Sequence, residues 1–200
     1  MNRREVLERA AMVLGYAITG PALMGVLNGC KAAPELNYKP VFFTEDHARL
    51  IAEVSEIILP KTTTPGAKDV GVPSFIDNML KEVYSQKDQE AFIKSLIDFD
   101  DEAAKEYGSS FNECEGEEQI AFVKKMHAKA FEGSVETGSQ GWWNTGGGKD
   151  KPFILKVKEL TLLGFFTSQA GATEVLQYNQ VPGPFQGCVP LEKVGKTWAT

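Results

Sequence analysis

The sequence predicts an all-α protein, an irregular helical bundle of about five helices with long loops and an extended C-terminal docking tail. Apolar residues recur at helical spacing in successive segments, and the breaks between most of these segments are short. The chain has 200 residues with 42% hydrophobic content, which is enough to bury one core. We therefore expect a single helical domain that follows an N-terminal appendage.

The first helix is predicted to begin after Thr44. The Thr44 side chain can cap the helix, and Glu45 and Asp46 place negative charge in the first turn, where the helix dipole favours anions. Pro60 ends the helix, because proline cannot continue it. The apolar stripe of this segment consists of Leu50, Ile51, Val54, Ile57 and Ile58.

The second helix is predicted to start at Pro73, because proline suits the first helical position. Before it, residues 61–73 form a loop in which the Pro65-Gly66 pair fixes a bend. The residues of this helix that we expect to face inward are Phe75, Ile76, Met79, Leu80, Val83 and Tyr84.

Three further helices are predicted over residues 88–107, 117–131 and 153–166, with Gly108 as the stop of the first of them. The helices over 88–107 and 117–131 have charged outer faces, the usual pattern of a solvated amphipathic helix. Their expected inward residues are Phe92, Ile93, Leu96, Phe99, Ala103 and Tyr107 in one, and Ile120, Val123, Met126 and Phe131 in the other.

The segment 133–151 is long and rich in glycine, and it contains the adjacent Trp142 and Trp143. Loops of this length inside a compact domain are usually ordered for a purpose. Buried tryptophans dominate the energetics of protein interfaces, so this pair is a candidate docking site. Packing of the two rings against the core under the loop is the alternative.

The stretch 158–191 is too apolar to be solvated and too irregular to be one element. Its turn signals, which we expect to prevent a continuing helix, include Ala170-Gly171 and Pro182-Gly183-Pro184. Large apolar residues stand before and between these signals. They are Leu160, Leu162, Leu163, Phe165, Phe166, Tyr178 and Phe185.

Covering an aromatic side chain removes about 150–250 Å² from water, an upper bound of roughly 4–6 kcal/mol at about 25 cal/mol per Å². We therefore expect another protein to cover Phe165, Phe166, Tyr178 and Phe185. The alternative is that the tail packs back on its own domain.

The first 29 residues are predicted to be an export signal. Arg3 and Arg4 precede an apolar stretch over residues 10–27, an arrangement that resembles a twin-arginine signal. The stretch ends at Leu27-Asn28-Gly29-Cys30, which is similar to the site that a lipoprotein signal peptidase cuts. We expect lipidation of Cys30, which would tether the protein to a membrane on the periplasmic side of the cell envelope. An uncleaved anchor and a soluble periplasmic product are the alternatives.

Residues 30–43 are predicted to be the lipidated N-terminus and a stalk, and residues 44–200 the folded domain. Pro34 and Pro40 interrupt the stalk, which could reach about 40 Å when extended at roughly 3.3 Å per residue.

Charge and missing motifs exclude several classes of function. The formal net charge of −6 leaves no basic face for nucleic acid. The sequence has no His-Glu-x-x-His, Cys-x-x-Cys-His, Gly-x-Gly-x-x-Gly or Gly-x-Ser-x-Gly motif. The cluster of Asp98, Asp100 and Asp101 is expected to face solvent from a helix. We therefore expect no catalytic residue, cofactor site or metal site in this chain.

Short motifs occur in order near both ends of the predicted domain. The first block has Ile58-Leu59-Pro60, Thr64-Pro65-Gly66-Ala67 and Gly71-Val72-Pro73. The second has Gly164-Phe165-Phe166-Thr167-Ser168, Gly171-Ala172-Thr173, Tyr178, Val181-Pro182-Gly183 and Gly187-Cys188-Val189-Pro190-Leu191. Over residues 41–191 this pattern resembles the gluconate 2-dehydrogenase subunit 3 family, from which the segment 133–151 departs.

Members of that family are small, non-flavin subunits of periplasmic FAD-dependent sugar and sugar-acid dehydrogenases. The resemblance implies a large FAD-containing subunit as the direct partner and a cytochrome subunit as an indirect one. It also implies that this chain supports the export, folding and membrane attachment of the flavoprotein. The alternative function is a free-standing lipoprotein that binds a carbohydrate through Trp142 and Trp143.

Two cysteines remain if Cys30 is lipidated. Cys114 and Cys188 would then lie in an oxidising compartment, where a disulfide between them is one possibility. Cys188 belongs to a family-like block, so a disulfide with the partner subunit is the second hypothesis. Unpaired thiols are the third.

Overall fold

The structure, a computed structural model, describes residues 36–136, 151–178, 180–181, 183–184 and 187–199. Within these residues it contains helices and one isolated bridge, between Gln177 and Trp198, but no strand. The predicted all-α class is confirmed. The elements are α1 (Glu45–Ile58), α2 (Val72–Glu82), α3 (Gln86–Tyr107), a 3₁₀ helix (Phe111–Glu113), α4 (Gly116–Glu136), α5 (Phe153–Phe166), a π-helix (Gly171–Val175) and α6 (Leu191–Val194).

Most predicted helix ends lie within two residues of the observed ones, but α4 runs to Glu136, five residues beyond its predicted end and into the segment that was predicted to be a loop. The Thr44 hydroxyl accepts a hydrogen bond from His47 N at 3.3 Å, as expected of an N-cap. Gly108 ends α3 with a φ of +79°, a left-handed conformation that favours glycine. Pro73 is the second residue of α2 rather than the first, because Val72 already belongs to the helix.

Helix α5 is the centre of the fold, since it contacts α1, α2, α3 and α4. It approaches α2 closely at Gly164, where an added Cβ would lie 2.6 Å from Cδ1 of Phe75. Ser55 of α1 and Thr161 of α5 are fully buried and share a hydrogen bond of 3.3 Å between their hydroxyls. The buried apolar residues of α5 are Phe153, Ile154, Val157, Leu160 and Phe165.

Three residues that were predicted to face inward are exposed: Val83, Ile120 and Phe131. Val83 is the C-cap residue of α2, so it lies past the last helical turn whose side chains pack on the core. In α4, Phe122 is turned into the core instead of Ile120, with its ring centroid 4.9 Å from that of Phe99. The packing of aromatic rings thus sets which face of α4 points inward, and with Phe122 on that face Ile120 points to solvent.

The segment before α1 is fixed to the domain by Asp77, a buried carboxylate of α2. Its oxygens accept hydrogen bonds from three successive backbone groups: Val41 N at 2.6 Å, Phe42 N at 3.1 Å and Phe43 N at 2.8 Å. Leu36, Tyr38 and Phe42 pack against the core, and the compact unit starts at Leu36. The part of the predicted stalk from residue 36 onwards is therefore packed on the domain.

The phenol of Tyr38 lies near this carboxylate. Burial, and secondly the negative charge of Asp77, raise the pKa of Tyr38 far above its ordinary value. Tyr38 therefore stays neutral, which suits its position beside a buried anion.

The loop between α1 and α2 is folded around the Glu56 carboxylate, which accepts hydrogen bonds from Lys61 N and Lys68 N, both at 2.9 Å. Gly66 lies against this carboxylate, and an added Cβ would also lie 2.7 Å from Lys61 N. The bend predicted at Pro65-Gly66 thus belongs to an ordered loop in which only glycine fits at position 66.

Candidate docking surface

The structure separates two phenylalanines that the sequence placed together. Phe165 is only 3% exposed and belongs to the core, so its prediction as a docking residue is wrong. Phe166 is 37% exposed, and its ring meets that of Phe165 edge-on. The reason is helical geometry: neighbouring residues point about 100° apart, and only one of the two can face the other helices.

The end of α5 is built by side chains that cap it. The Thr167 hydroxyl donates to Leu163 O at 2.7 Å, and the Ser168 hydroxyl donates to Phe165 O at 2.6 Å. Ser168 Oγ also accepts a hydrogen bond from Gly171 N at 3.0 Å. Part of the family-like block from Gly164 to Ser168 is thus explained by local structure and packing.

Helical structure resumes after this cap, so the prediction that Ala170-Gly171 stops it is wrong. A π-helix runs over Gly171–Val175. Gly171 permits it because it lies directly against the carbonyl oxygen of Phe165, where a side chain would collide. A glycine that looks like a breaker in the sequence is here a point of close approach.

Large exposed apolar side chains concentrate in the C-terminal segment, by which we mean the described residues between 163 and 199. Tyr178 is 61% exposed and Trp198 is 46% exposed. On α5, Leu163 and Phe166 are three residues apart and share one outer face. We name the following set the candidate docking residues: Leu163, Phe166, Tyr178, Val181, Val189 and Trp198.

Of the predicted docking residues, Phe166 and Tyr178 are exposed as expected. Trp142, Trp143 and Phe185 lie outside the described residues, as do Arg3, Arg4 and Cys30. Trp198 was not predicted. A tryptophan in the otherwise polar run Lys196-Thr197-Trp198 was the signal that could have indicated it.

The two remaining cysteines are both free in the structure, so no disulfide joins them. Cys114 is buried, and its Sγ lies 3.4 Å from Ser110 O, which accepts its S–H. Cys188 is exposed on the C-terminal segment. A disulfide between Cys188 and a partner subunit stays a prediction.

The described residues contain no group of three or more His, Cys, Asp or Glu side chains that could hold a metal ion. An open groove of about 510 Å³ has Phe42, Ile93 and Ile97 among its lining residues, and none of that lining comes from the C-terminal segment. No helix in the described ranges combines the length and the apolar character that crossing a membrane requires.

One ionisable pair links α4 to α5. Lys158 Nζ lies 2.9 Å from His127 Nε2, and because an ammonium group only donates, the imidazole nitrogen accepts. The His127 ring also stacks on Phe131. Burial, and secondly the positive charge of Lys158, lower the pKa of His127 below its ordinary value of 6.5.

We expect this pair to make the fold less stable in mild acid. The unfolded chain protonates His127 near pH 6.5 and the folded chain only at lower pH, so stability falls as the pH drops through this window. We measure the unfolding temperature at about pH 7.5 and about pH 5.5. The drop between the two should be smaller in His127→Gln than in the wild type, because glutamine does not titrate there and its amide oxygen can still accept from Lys158. His47→Gln, at the other histidine, is the matched control and should behave as the wild type; a loss as large in His127→Gln as in the wild type would contradict the assignment.

Comparison with known proteins gives one family. The family model described as "Gluconate 2-dehydrogenase subunit 3" matches residues 45–183, from the start of α1 into the C-terminal segment. No curated protein and no solved structure matches the chain significantly.

Proposed function

This chain belongs to the gluconate 2-dehydrogenase subunit 3 family, and on that premise we propose that it is the non-catalytic small subunit of a membrane-associated FAD-dependent dehydrogenase complex of the glucose or gluconate type. In this proposal FAD and the substrate pocket belong to a larger partner subunit. This chain supports the twin-arginine export, folding and membrane attachment of that partner. A cytochrome subunit is an indirect partner.

One observation of the structure carries the proposal. An ordered helical core ends in a segment where Phe166, Tyr178 and Trp198 remain substantially exposed. Covering aromatic side chains is favourable by several kcal/mol each as an upper bound. A protein partner would supply that cover, and the word "subunit" in the family description fits such an arrangement.

Sequence features support the membrane part of the proposal. Arg3 and Arg4 fit a twin-arginine signal, and Cys30 fits a lipidation site. Because the twin-arginine route carries folded cargo, a partner without a signal of its own could cross with FAD already bound. The lipid on Cys30 would then hold the assembled complex on the membrane.

The test is to extract the native membranes with mild detergent and to follow this chain through size-exclusion chromatography. We expect it to co-elute with a larger chain that has a flavin absorption spectrum and reduces an electron-accepting dye when given a sugar or sugar acid. Elution as a colourless monomer would contradict the proposal. Saturable binding of a carbohydrate by that monomer would favour a binding lipoprotein instead.

The role of Cys30 can be tested separately. Cys30→Ser removes the thiol that carries the lipid, so we expect the flavin activity to move from the membrane fraction to the soluble periplasmic fraction. Cys114→Ser, whose hydroxyl can still donate to Ser110 O, is the matched control and should leave the activity on the membrane. Flavin activity that stays on the membrane in Cys30→Ser would contradict lipid attachment at this residue.

A further inference from the structure

Gln177 is hydrogen-bonded to the last described residues of the chain, and these bonds fold the C-terminal segment into a closed loop. Its backbone N donates to Thr197 O and its backbone O accepts from Ala199 N, both at 2.9 Å. Its side-chain Nε2 donates to Val194 O at 2.7 Å and to Lys196 O at 2.6 Å. One residue thus holds the returning end of the chain through both its backbone and its side chain.

A primary amide suits this position for a chemical reason. Its nitrogen carries two N–H donors, and here two carbonyl oxygens face it. A carboxylate would repel both carbonyls, and an apolar side chain would leave them without this donor. A single isolated bridge has little stability of its own, so the two side-chain bonds are a substantial part of what keeps the closure in place.

The closure fixes the backbone at two exposed aromatic residues. Trp198 pairs with Gln177 in the isolated bridge, and Tyr178 is the next residue along the chain. Both are candidate docking residues that stand far apart in sequence. Lys196 strengthens the same junction, because its Nζ donates to Glu174 O at 2.7 Å.

We propose that Gln177 is a positioning residue for docking, which fixes the backbone that carries Tyr178 and Trp198 in the free subunit, so that the flavoprotein subunit meets a preformed segment with both aromatic residues in set positions. The inference rests on the proposed function. A preformed surface binds more tightly, because the segment is already ordered before the partner binds and its ordering does not weaken the binding free energy.

The test compares Gln177→Met, which keeps the length of the side chain but removes its donors, with the matched control Gln180→Met at an exposed position of the same segment. In the free subunit, hydrogen exchange over residues 176–199 should become faster in Gln177→Met only. Exchange in α1 to α5 should stay as in the wild type, because the core does not use this side chain.

The second readout is affinity for the purified flavoprotein subunit. We expect Gln177→Met to bind about tenfold more weakly, as when the closed state falls to about a tenth of the population. Because Gln177 acts through Tyr178 and Trp198, adding Gln177→Met to a variant with both Tyr178→Ala and Trp198→Ala should weaken binding much less than tenfold. A merely structural effect on stability would not produce this dependence.

Three outcomes decide the matter. Wild-type affinity in Gln177→Met, or full additivity with the variant that lacks both Tyr178 and Trp198, would overturn the inference and leave the proposed function standing. Faster exchange with weaker binding and no additivity supports the inference. A wild-type chain that binds no flavoprotein subunit would overturn the proposed function and this inference with it.

Discussion

Replacing Asp77 by alanine should destabilise the domain more than any other change of a charged residue discussed above. The variant leaves three backbone N–H groups, those of Val41, Phe42 and Phe43, without their acceptor in a buried or half-buried site. A hydrogen bond to a charged group contributes about 1.5–3 kcal/mol, and water can replace part of the loss at the part-buried Val41 and Phe42 sites, so the free energy of unfolding should fall by about 3–5 kcal/mol in total. Chemical denaturation measures this directly.

Asp101→Ala is the matched control, because Asp101 is an exposed carboxylate on α3. Its free energy of unfolding should stay within about 0.5 kcal/mol of the wild type. Hydrogen exchange at Val41 to Phe43 should also become faster in Asp77→Ala alone. Equal stability of the two variants would show that the carboxylate does not fix the segment before α1.

Alanine substitutions at Phe165, Phe166 and Tyr178 should distinguish a residue that stabilises the fold from residues that bind the partner. Phe165→Ala removes a buried ring of the central helix, so the free energy of unfolding should fall by about 3–5 kcal/mol. Tyr178→Ala removes a 61% exposed ring and should leave thermal unfolding nearly unchanged, whereas Phe166→Ala removes a ring that packs on Phe165 and should lower the free energy of unfolding much less than Phe165→Ala does. If these rings are hot spots, each substitution should weaken binding to the flavoprotein subunit by about 2 kcal/mol, roughly 30-fold.

Val83→Ala is the control for the docking measurement, because Val83 is exposed at the end of α2 and lies outside the candidate docking residues. It should bind like the wild type. Wild-type affinity in both Phe166→Ala and Tyr178→Ala would contradict the assignment of these side chains to the docking surface.

Most of the helical framework could be predicted because its signals are local. A capping hydroxyl at Thr44 and a left-handed glycine at Gly108 act within one turn of the helix that they end. Stripes such as that of Phe92, Leu96 and Phe99 identify the buried face of α3, since only one side of that helix packs.

Helix α5 was harder to interpret because its neighbours lie on several sides. A helix that packs against four others buries side chains on several sides, and its apolar residues therefore show no clear period. The sequence around Phe165 looked like an exposed tail for this reason. The apolar residues of α5 lack a clear period because, in the part of the chain that the structure describes, this is the helix with the most helical neighbours.

Contacts over long sequence distances could not be predicted. Asp77 looks like any polar residue of an amphipathic helix, since its partners are backbone groups far earlier in the chain. The same holds for Gln177, which meets carbonyl groups near the end of the chain. Backbone partners have no sequence signature, so no residue pattern indicates that such side chains are engaged.

The most direct test of the central claim is hydroxyl-radical footprinting of this chain, free and in complex with the flavoprotein subunit. Oxidation of Phe166, Tyr178 and Trp198 should drop strongly in the complex, because the partner covers their exposed surface. Phe131, exposed on α4, should be oxidised equally in both states. Unchanged oxidation of all three C-terminal aromatics in a complex that does form would show that this segment is not the surface that binds the dehydrogenase.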